Sequence, residues 1–196
     1  MVSPSHPNSP SVPYPVDTDP QGVSLARSAG WVLGAGVLLA VSAQIQIPSL
    51  PVPFTLQTLA VLLIGSTLGS KRGVSAVLAY LAAGSLGAPV FAGFGGGLHH
   101  FAGPTAGFLL GFVPAVGIVG FVGERAGRRV LPLLGAYLLG LTSIYALGVS
   151  WLAAFIGAEA AVAQAALFLP GEAVKLALAL TIVRGVRSRR SARETS

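Results

Sequence analysis

The 12 Lys and Arg residues of this chain, Lys175 apart, stand between long apolar runs or at their edges. A helix needs about 20 predominantly apolar residues to cross a hydrocarbon core of about 30 Å. The pattern predicts six such spans, at residues 26–45, 54–68, 74–90, 105–122, 130–155 and 170–186. The second is short, so it is expected to sit low in the bilayer or to begin inside a folded loop. With the N-terminus inside, Arg27, Lys71, Arg72, Arg125, Arg128, Arg129, Arg184, Arg187, Arg189, Arg190 and Arg193 all fall on the cytoplasmic side. The outer loops then hold no Lys or Arg, only Glu159. This is the positive-inside distribution. It predicts an all-α integral membrane protein, one bundle of about six spans in the lipid bilayer, with both termini cytoplasmic.

Composition narrows the alternatives. Of the 196 residues 53% are hydrophobic and 9% charged, against about a quarter charged in a soluble domain. A mean hydropathy of +0.77 leaves no room for a sizeable water-soluble domain. Residues 1–24, rich in Pro and Ser and carrying Asp17 and Asp19, are expected to be a disordered cytoplasmic tail. Residues 25–187 form the membrane domain and 188–196 a basic cytoplasmic tail, while 157–169 is an Ala-rich connector, expected as a short surface helix. The net charge of +6 is confined to short runs between apolar stretches, which argues against nucleic acid. No cysteine is present, which excludes disulfides and thiolate sites. His99 and His100, with only His6 elsewhere, are too few for a zinc site and are expected as a solvated loop pair. Arg27, the apolar run from Trp31 and Ala-Val-Ser-Ala before Gln44 also outline a cleavable signal. The long, non-basic tail before Arg27 favours retention of the first helix.

The most informative motif is Phe-Leu-Pro-Gly-Glu-Ala-Val-Lys at residues 168–175. Pro170 suits a first helical position. Glu172 and Lys175, three apart, project from one helical face. An ionisable group inside a membrane span costs about 2.5–3.5 kcal/mol on insertion scales, which favours function over a self-neutralising packing pair. Three outer segments are positioned to roof a site beside this pair. Residues 46–57 (QIPSLPVPFTLQ) hold three prolines in six positions and form a stiff extended loop. Residues 89–97 (PVFAGFGGG), followed by Gly103, Pro104 and Thr105, hold glycines suited to close approach of a ligand or to a flexible linker. In the third segment Tyr145 and Trp151 fit interface anchors better than ligand contacts.

Several chemistries are absent. There is no P-loop motif, so ATP is not bound that way. Gly93 and Gly95 open a dinucleotide fingerprint that Leu98 breaks. No Ser/His/Asp set or carboxylate cluster supports an enzyme, and no cofactor is expected. Small-xxx-small pairs occur at Gly30/Gly34, Gly36/Ala40, Gly107/Gly111 and Ala136/Gly140, each a weak packing signal on its own.

Residues 43–59 (AQIQIPSLPVPFTLQTL), 86–97 (LGAPVFAGFGGG), 103–112 (GPTAGFLLGF), 145–155 (YALGVSWLAAF) and 168–175 (FLPGEAVK) together resemble the BioY family, the biotin-binding S components of energy-coupling-factor transporters. The resemblance runs from about Trp31 to Val183. It implies a six-helix fold in the bacterial plasma membrane, biotin capture from outside, and a partner module of one transmembrane coupling protein with two ATPases. It also places the coupling contact on the first helix, for which Gly36 and Ala40 are the candidates. The family usually has Asp where this chain has Glu172, with the Lys retained at Lys175. Biotin's ureido ring offers two N–H donors and a carbonyl, to which a Glu/Lys pair is complementary. Lys175 equally suits biotin's carboxylate. Thr55 and Gln57 add polar contacts from the loop, and Phe54, Phe91 and Trp151 are candidates for the apolar slot. The competing reading is a proton-coupled secondary transporter of another small solute, with Glu172 as relay. Whether the chain works alone, as a homo-oligomer or only with its module is left open by the sequence.

Overall fold

The computed structural model describes residues 20–126 and 129–194. The expected tail 1–24 lies outside them as far as residue 19, as do Arg128 and the last two residues of the basic tail. The described chain forms five helices, α1 (Pro20–Gln44), α2 (Gln57–Ser85), α3 (Ala106–Ala126), α4 (Val130–Ile156) and α5 (Ala158–Glu194), with a small ribbon of β1 (Gln46–Ile47) and β2 (Phe54–Thr55). Of these, α1, α3, α4 and α5 contain stretches long and apolar enough to cross a membrane.

The expected spans 54–68 and 74–90 are the two arms of α2, joined at Gly69. Its φ of 78° and ψ of −177° are open to glycine and almost nothing else. The arms fold back on each other. In a straight helix Gln57 and Tyr80 would stand roughly 35 Å apart, yet Gln57 Nε2 donates to Tyr80 Oη at 2.8 Å. The loop expected around Lys71 and Arg72 therefore shrinks to one residue, and both cations stand on the second arm. Ser70 N–H, freed by the break, donates to Glu124 Oε1 of α3 at 2.8 Å. Gly120 lets α3 come this close, since a Cβ there would collide with the Ser70 backbone. The second arm ends at Ser85 rather than Val90 because Gly87 (φ 101°) and Pro89 follow.

At the C-terminal end the structure corrects the expected connector. After the break at Gly157, residues 158–169 and the sixth span are one helix, α5, which continues through Pro170 to Glu194. The first half of α5 packs back on the proline loop: Ala161 is buried with Val52 and Leu152, and Gln164 Nε2 donates to the Val52 carbonyl at 3.0 Å.

Helices α2, α3, α4 and α5 close into a ring, and α1 lies against α2. Lipid tails are as apolar as the side chains they compete with, so close packing must hold such helices together. Two of the small-residue pairs do this. Gly107 and Gly111 bring α3 onto α4, where a Cβ would meet the backbone of Leu147 or Ile144, and Gly140 receives Val119. Nothing lies within 4 Å of the missing Cβ of Gly30, Gly34 or Gly36 on α1. Large apolar side chains such as Trp31, Leu33, Val37, Leu131 and Leu139 point outward, as a lipid-facing surface requires.

Candidate ligand-binding site

A cavity of about 280 Å³ opens between the proline loop, the loop joining α2 to α3, and the facing parts of α3, α4 and α5. That volume is near the lower end for small-molecule sites, about 300–1,000 Å³. Its roof is the ribbon, with Gln46 paired to Thr55 and Ile47 to Phe54. Three prolines shape the intervening loop, and the Leu50–Pro51 peptide is cis.

The charged end of the cavity is built by α5 and the start of α2. Glu172 and Lys175 are 4% and 5% exposed, so this is a buried ion pair rather than a surface one. Lys175 Nζ donates to Glu172 Oε1 at 2.8 Å, to Thr58 Oγ1 at 2.9 Å and to the Thr55 carbonyl at 2.6 Å. An ammonium has three N–H donors, so all are committed. The Thr58 hydroxyl in turn donates to Glu172 Oε1 at 3.1 Å. Glu172 Oε2 is buried and accepts no hydrogen bond. Tyr145 of α4 lines the same cavity with its hydroxyl beside the Glu172 carboxylate, making no hydrogen bond to Oε2. The cluster thus leaves one carboxylate oxygen without a hydrogen bond in the cavity wall and keeps its cation behind the lining.

Phe54 carries Lys175 on its face, with Nζ 3.6 Å from the ring centroid, a cation–π contact. Its ring also packs on Phe168 at 5.1 Å and occupies the space a Cβ of Gly171 would need. The Phe-Leu-Pro-Gly part of the motif therefore makes the seat for Phe54. Gln57 lines the cavity, but its amide links Thr55 (Oγ1 to Oε1, 3.1 Å) with Tyr80, whose hydroxyl donates to the Val90 carbonyl at 3.1 Å. Thr55 and Gln57 thereby tie the proline loop to the loop that carries Phe91.

Phe91 is buried between Tyr80, His100 and Phe101, with ring centroids 5.3–5.9 Å away. It is held by a tight turn in which Phe91 N–H donates to the Gly95 carbonyl at 2.9 Å. Gly93 and Phe94 both take positive φ in that turn. Gln44 clamps it from α1, donating to the Phe91 carbonyl and accepting from Phe94 N–H, both at 3.0 Å. The glycines that follow are outside the cavity lining and are needed small by their own loop. Cβ atoms on Gly95 and Gly96 would strike the His100 ring and the Ala88 carbonyl, and Gly97 N–H donates to the Gly84 carbonyl at 2.6 Å.

The structure thus brings Phe54, Thr55, Gln57, Phe91 and Glu172 to one cavity, with Lys175 directly behind. Trp151 is not part of the lining. It is 40% exposed and donates Nε1–H to the Gly103 carbonyl at 3.0 Å, anchoring the approach to α3. Tyr145, expected as an anchor, is inside. The histidines are not a solvated pair, since only His99 is exposed while His100 lines the cavity with a buried, unpartnered Nδ1. Thr58, Phe108 and Phe112, not expected as contacts, and Phe168, which opens the motif at 168–175, add to the walls.

Comparison with known proteins places this geometry. The BioY family model matches residues 16–192. The biotin transporter BioY of Rhodobacter capsulatus is 41% identical over 158 residues, covering 71% of this chain and 83% of its own. A probable biotin transporter BioY of Pyrococcus horikoshii is 42% identical over 146 residues, covering 74% and 86%. The crystal structure of the S-component for biotin from an ECF-type ABC transporter superposes with a TM-score of 0.74 at 29% identity, covering 87% of this chain and 94% of that one. The chain belongs to the BioY family.

Proposed function

We propose that this chain captures biotin in the cavity beneath the proline loop, as the S component of an energy-coupling-factor transporter. It is a multi-pass protein of the bacterial plasma membrane and a transport subunit, not an enzyme. One observation carries the ligand assignment: a buried carboxylate oxygen, Glu172 Oε2, has no hydrogen-bond partner in the wall of a largely apolar, aromatic-lined cavity. An acceptor in that position calls for an N–H donor, and biotin's ureido ring supplies two. With every N–H of Lys175 already used, the ureido end is the one that meets Glu172. The thioether ring then lies against the aromatic walls. Isolated, detergent-purified protein is expected to bind labelled biotin saturably with one site per chain. No saturable binding by folded protein at micromolar biotin would remove this assignment.

The chain is read as six crossings with both termini in the cytoplasm. The two arms of α2 count as separate crossings because they fold back at Gly69. The Glu124–Ser70 contact supports the orientation, since it gathers Lys71, Arg72 and Arg125 at the end of the bundle remote from the cavity. Energy would come from separate subunits, one transmembrane coupling protein and two ATPases, a division of labour with which the lack of a P-loop in this chain agrees. The α1 face carrying Gly36 and Ala40 is the proposed coupling contact. Gly36 is not needed small by packing against any other element of its own chain, because nothing beyond its own helix backbone lies within 4 Å of its missing Cβ, whereas Ala40 packs in part on the core. Gly36→Leu is therefore expected to leave thermal stability and biotin affinity unchanged while abolishing co-purification with the coupling proteins. Unchanged co-purification would move the interface off this face.

A further inference from the structure

Among the described residues, two buried side-chain atoms lack a hydrogen-bond partner, Glu172 Oε2 and His100 Nδ1. Both residues line the same cavity. Orphaned buried polar atoms are uncommon in native proteins, so two of them in one cavity wall describe what the cavity takes. The first asks for a donor. The second sits in an imidazole, which either accepts or, once protonated, donates.

His100 stands on the short turn Leu98–Ala102 between α2 and α3. Its ring lies 5.3 Å from Phe91 and is wedged against Gly95, where a Cβ would overlap it. Packing on both sides fixes the ring. A ligand with a carboxylate tail needs a cation or N–H donors for that tail, and the Glu172 end cannot supply them. Lys175 has no N–H left, and Glu172 Oε2 would repel a second carboxylate. The lining contains no arginine and no lysine. Pro104 and Thr105, which do line it, lead directly into the N-terminus of α3, so the positive end of that helix dipole lies on the His100 side.

We propose that His100 Nδ1 holds the carboxylate of the ligand as an imidazolium donor, making capture proton-linked in this chain. The inference rests on the reading of the cavity as a biotin site. In the empty cavity, burial and then the neighbouring His99 ring, 4.5 Å away, hold His100 below the usual histidine range, and the Gly96 backbone only partly opposes them. A bound carboxylate reverses this balance, and the ring takes one proton from solution as the ligand enters. The other titratable groups around it are His99 on the same turn, Tyr80 behind Phe91, and Tyr145, Glu172 and Lys175 around the cavity. From α3 the cavity receives Phe108, Leu109 and Phe112, none of which titrates. The protonated ring binds the acid better, so affinity falls as pH rises. The slope reaches at most about tenfold per pH unit, between the ring's pKa in the empty and in the occupied site.

The test measures the Kd of biotin and of biotinamide, whose tail is neutral, on the purified full chain between pH 5.5 and 8.5. Wild type is expected to prefer biotin by about ten- to hundredfold at the acid end, with the preference shrinking as pH rises. His100→Leu should lose both preference and slope while binding biotinamide within a few-fold of wild type. His100→Asn keeps a neutral donor near the Nδ1 position, so it should keep part of the preference without the slope. His99→Gln should keep the slope. Retained preference and slope in either His100 variant would overturn the proposal, as would equal binding of the two ligands by wild type at every pH. Failure of wild type to bind either ligand would instead bring down the biotin reading itself, and this inference with it.

Discussion

Replacing Lys175 by methionine is expected to weaken biotin binding by more than a hundredfold, although Lys175 is not part of the cavity lining. Its ammonium joins three pieces: the Thr55 carbonyl of the roof, the Thr58 hydroxyl of α2 and the Glu172 carboxylate of α5. Methionine fills the volume but leaves Glu172 as an unpaired charge in a buried site, which costs about 3–5 kcal/mol when one partner of such a pair is removed. It also releases the Thr55 carbonyl and the face of Phe54. The roof then loses one of its ties to α5, and Glu172 loses the partner that orients its carboxylate for the proposed ureido contact. Both affinity and thermal stability should fall together.

Companion variants separate the two effects. Glu172→Gln keeps one oxygen for Lys175 and Thr58 but turns an amide N–H₂ toward the cavity, where an acceptor is needed. It should therefore bind less well than wild type yet better than Glu172→Ala, which also strands Lys175. Glu172→Asp restores the usual family residue with its charge, moved by about one C–C bond, roughly 1.5 Å. Moderate binding is expected. In Glu172→Gln/Lys175→Met the buried charges are gone, and stability should recover above that of Lys175→Met while affinity does not. A stable double variant with wild-type affinity would mean that the pair serves packing alone.

The elements legible in the sequence are those whose signal is local. Positions of charge between apolar runs predicted a helical membrane protein, and Glu172 with Lys175 stood out because ionisable groups inside a span are costly. The proline loop was legible because three prolines in six residues leave too few backbone donors and too little room for a helix. What escaped depends on contacts distant in sequence. Gly69 resembles the many other glycines until Glu124 of α3 is seen to cap the break beside it. Tyr145 and Trp151 carry the same kind of signal, yet six residues on one helix turn them about 120° apart. One therefore enters the cavity and the other faces outward. A histidine in a glycine-rich loop has no periodicity to show which way it points, so His100 became visible only through its packing on Phe91. The glycines before it were equally ambiguous, because a residue needed small for self-packing and one needed small for a ligand read identically.

The last expected result follows from one of those glycines. Gly84→Val should expel Phe91 from the cavity wall. A Cβ on Gly84 would overlap three carbons at the tip of the Phe91 ring. Gly84 lies in the second arm of α2, held by helical hydrogen bonds and by Gly97 N–H on its carbonyl, so the backbone has little freedom to yield. The ring must move instead. Phe91 is 2% exposed and packs on Tyr80, His100 and Phe101, so displacing it forfeits burial comparable to a Phe→Ala change, about 3–5 kcal/mol. It also frees the His100 ring and opens the aromatic slot, so biotin affinity should drop along with the melting temperature. A double variant isolates the cause. Phe91→Ala removes the ring that valine cannot share space with, so Gly84→Val/Phe91→Ala should be clearly more stable than the sum of the two single changes allows. Affinity should stay low, because the wall is missing in both backgrounds. If the two stability losses simply add, Phe91 is not what requires glycine at position 84.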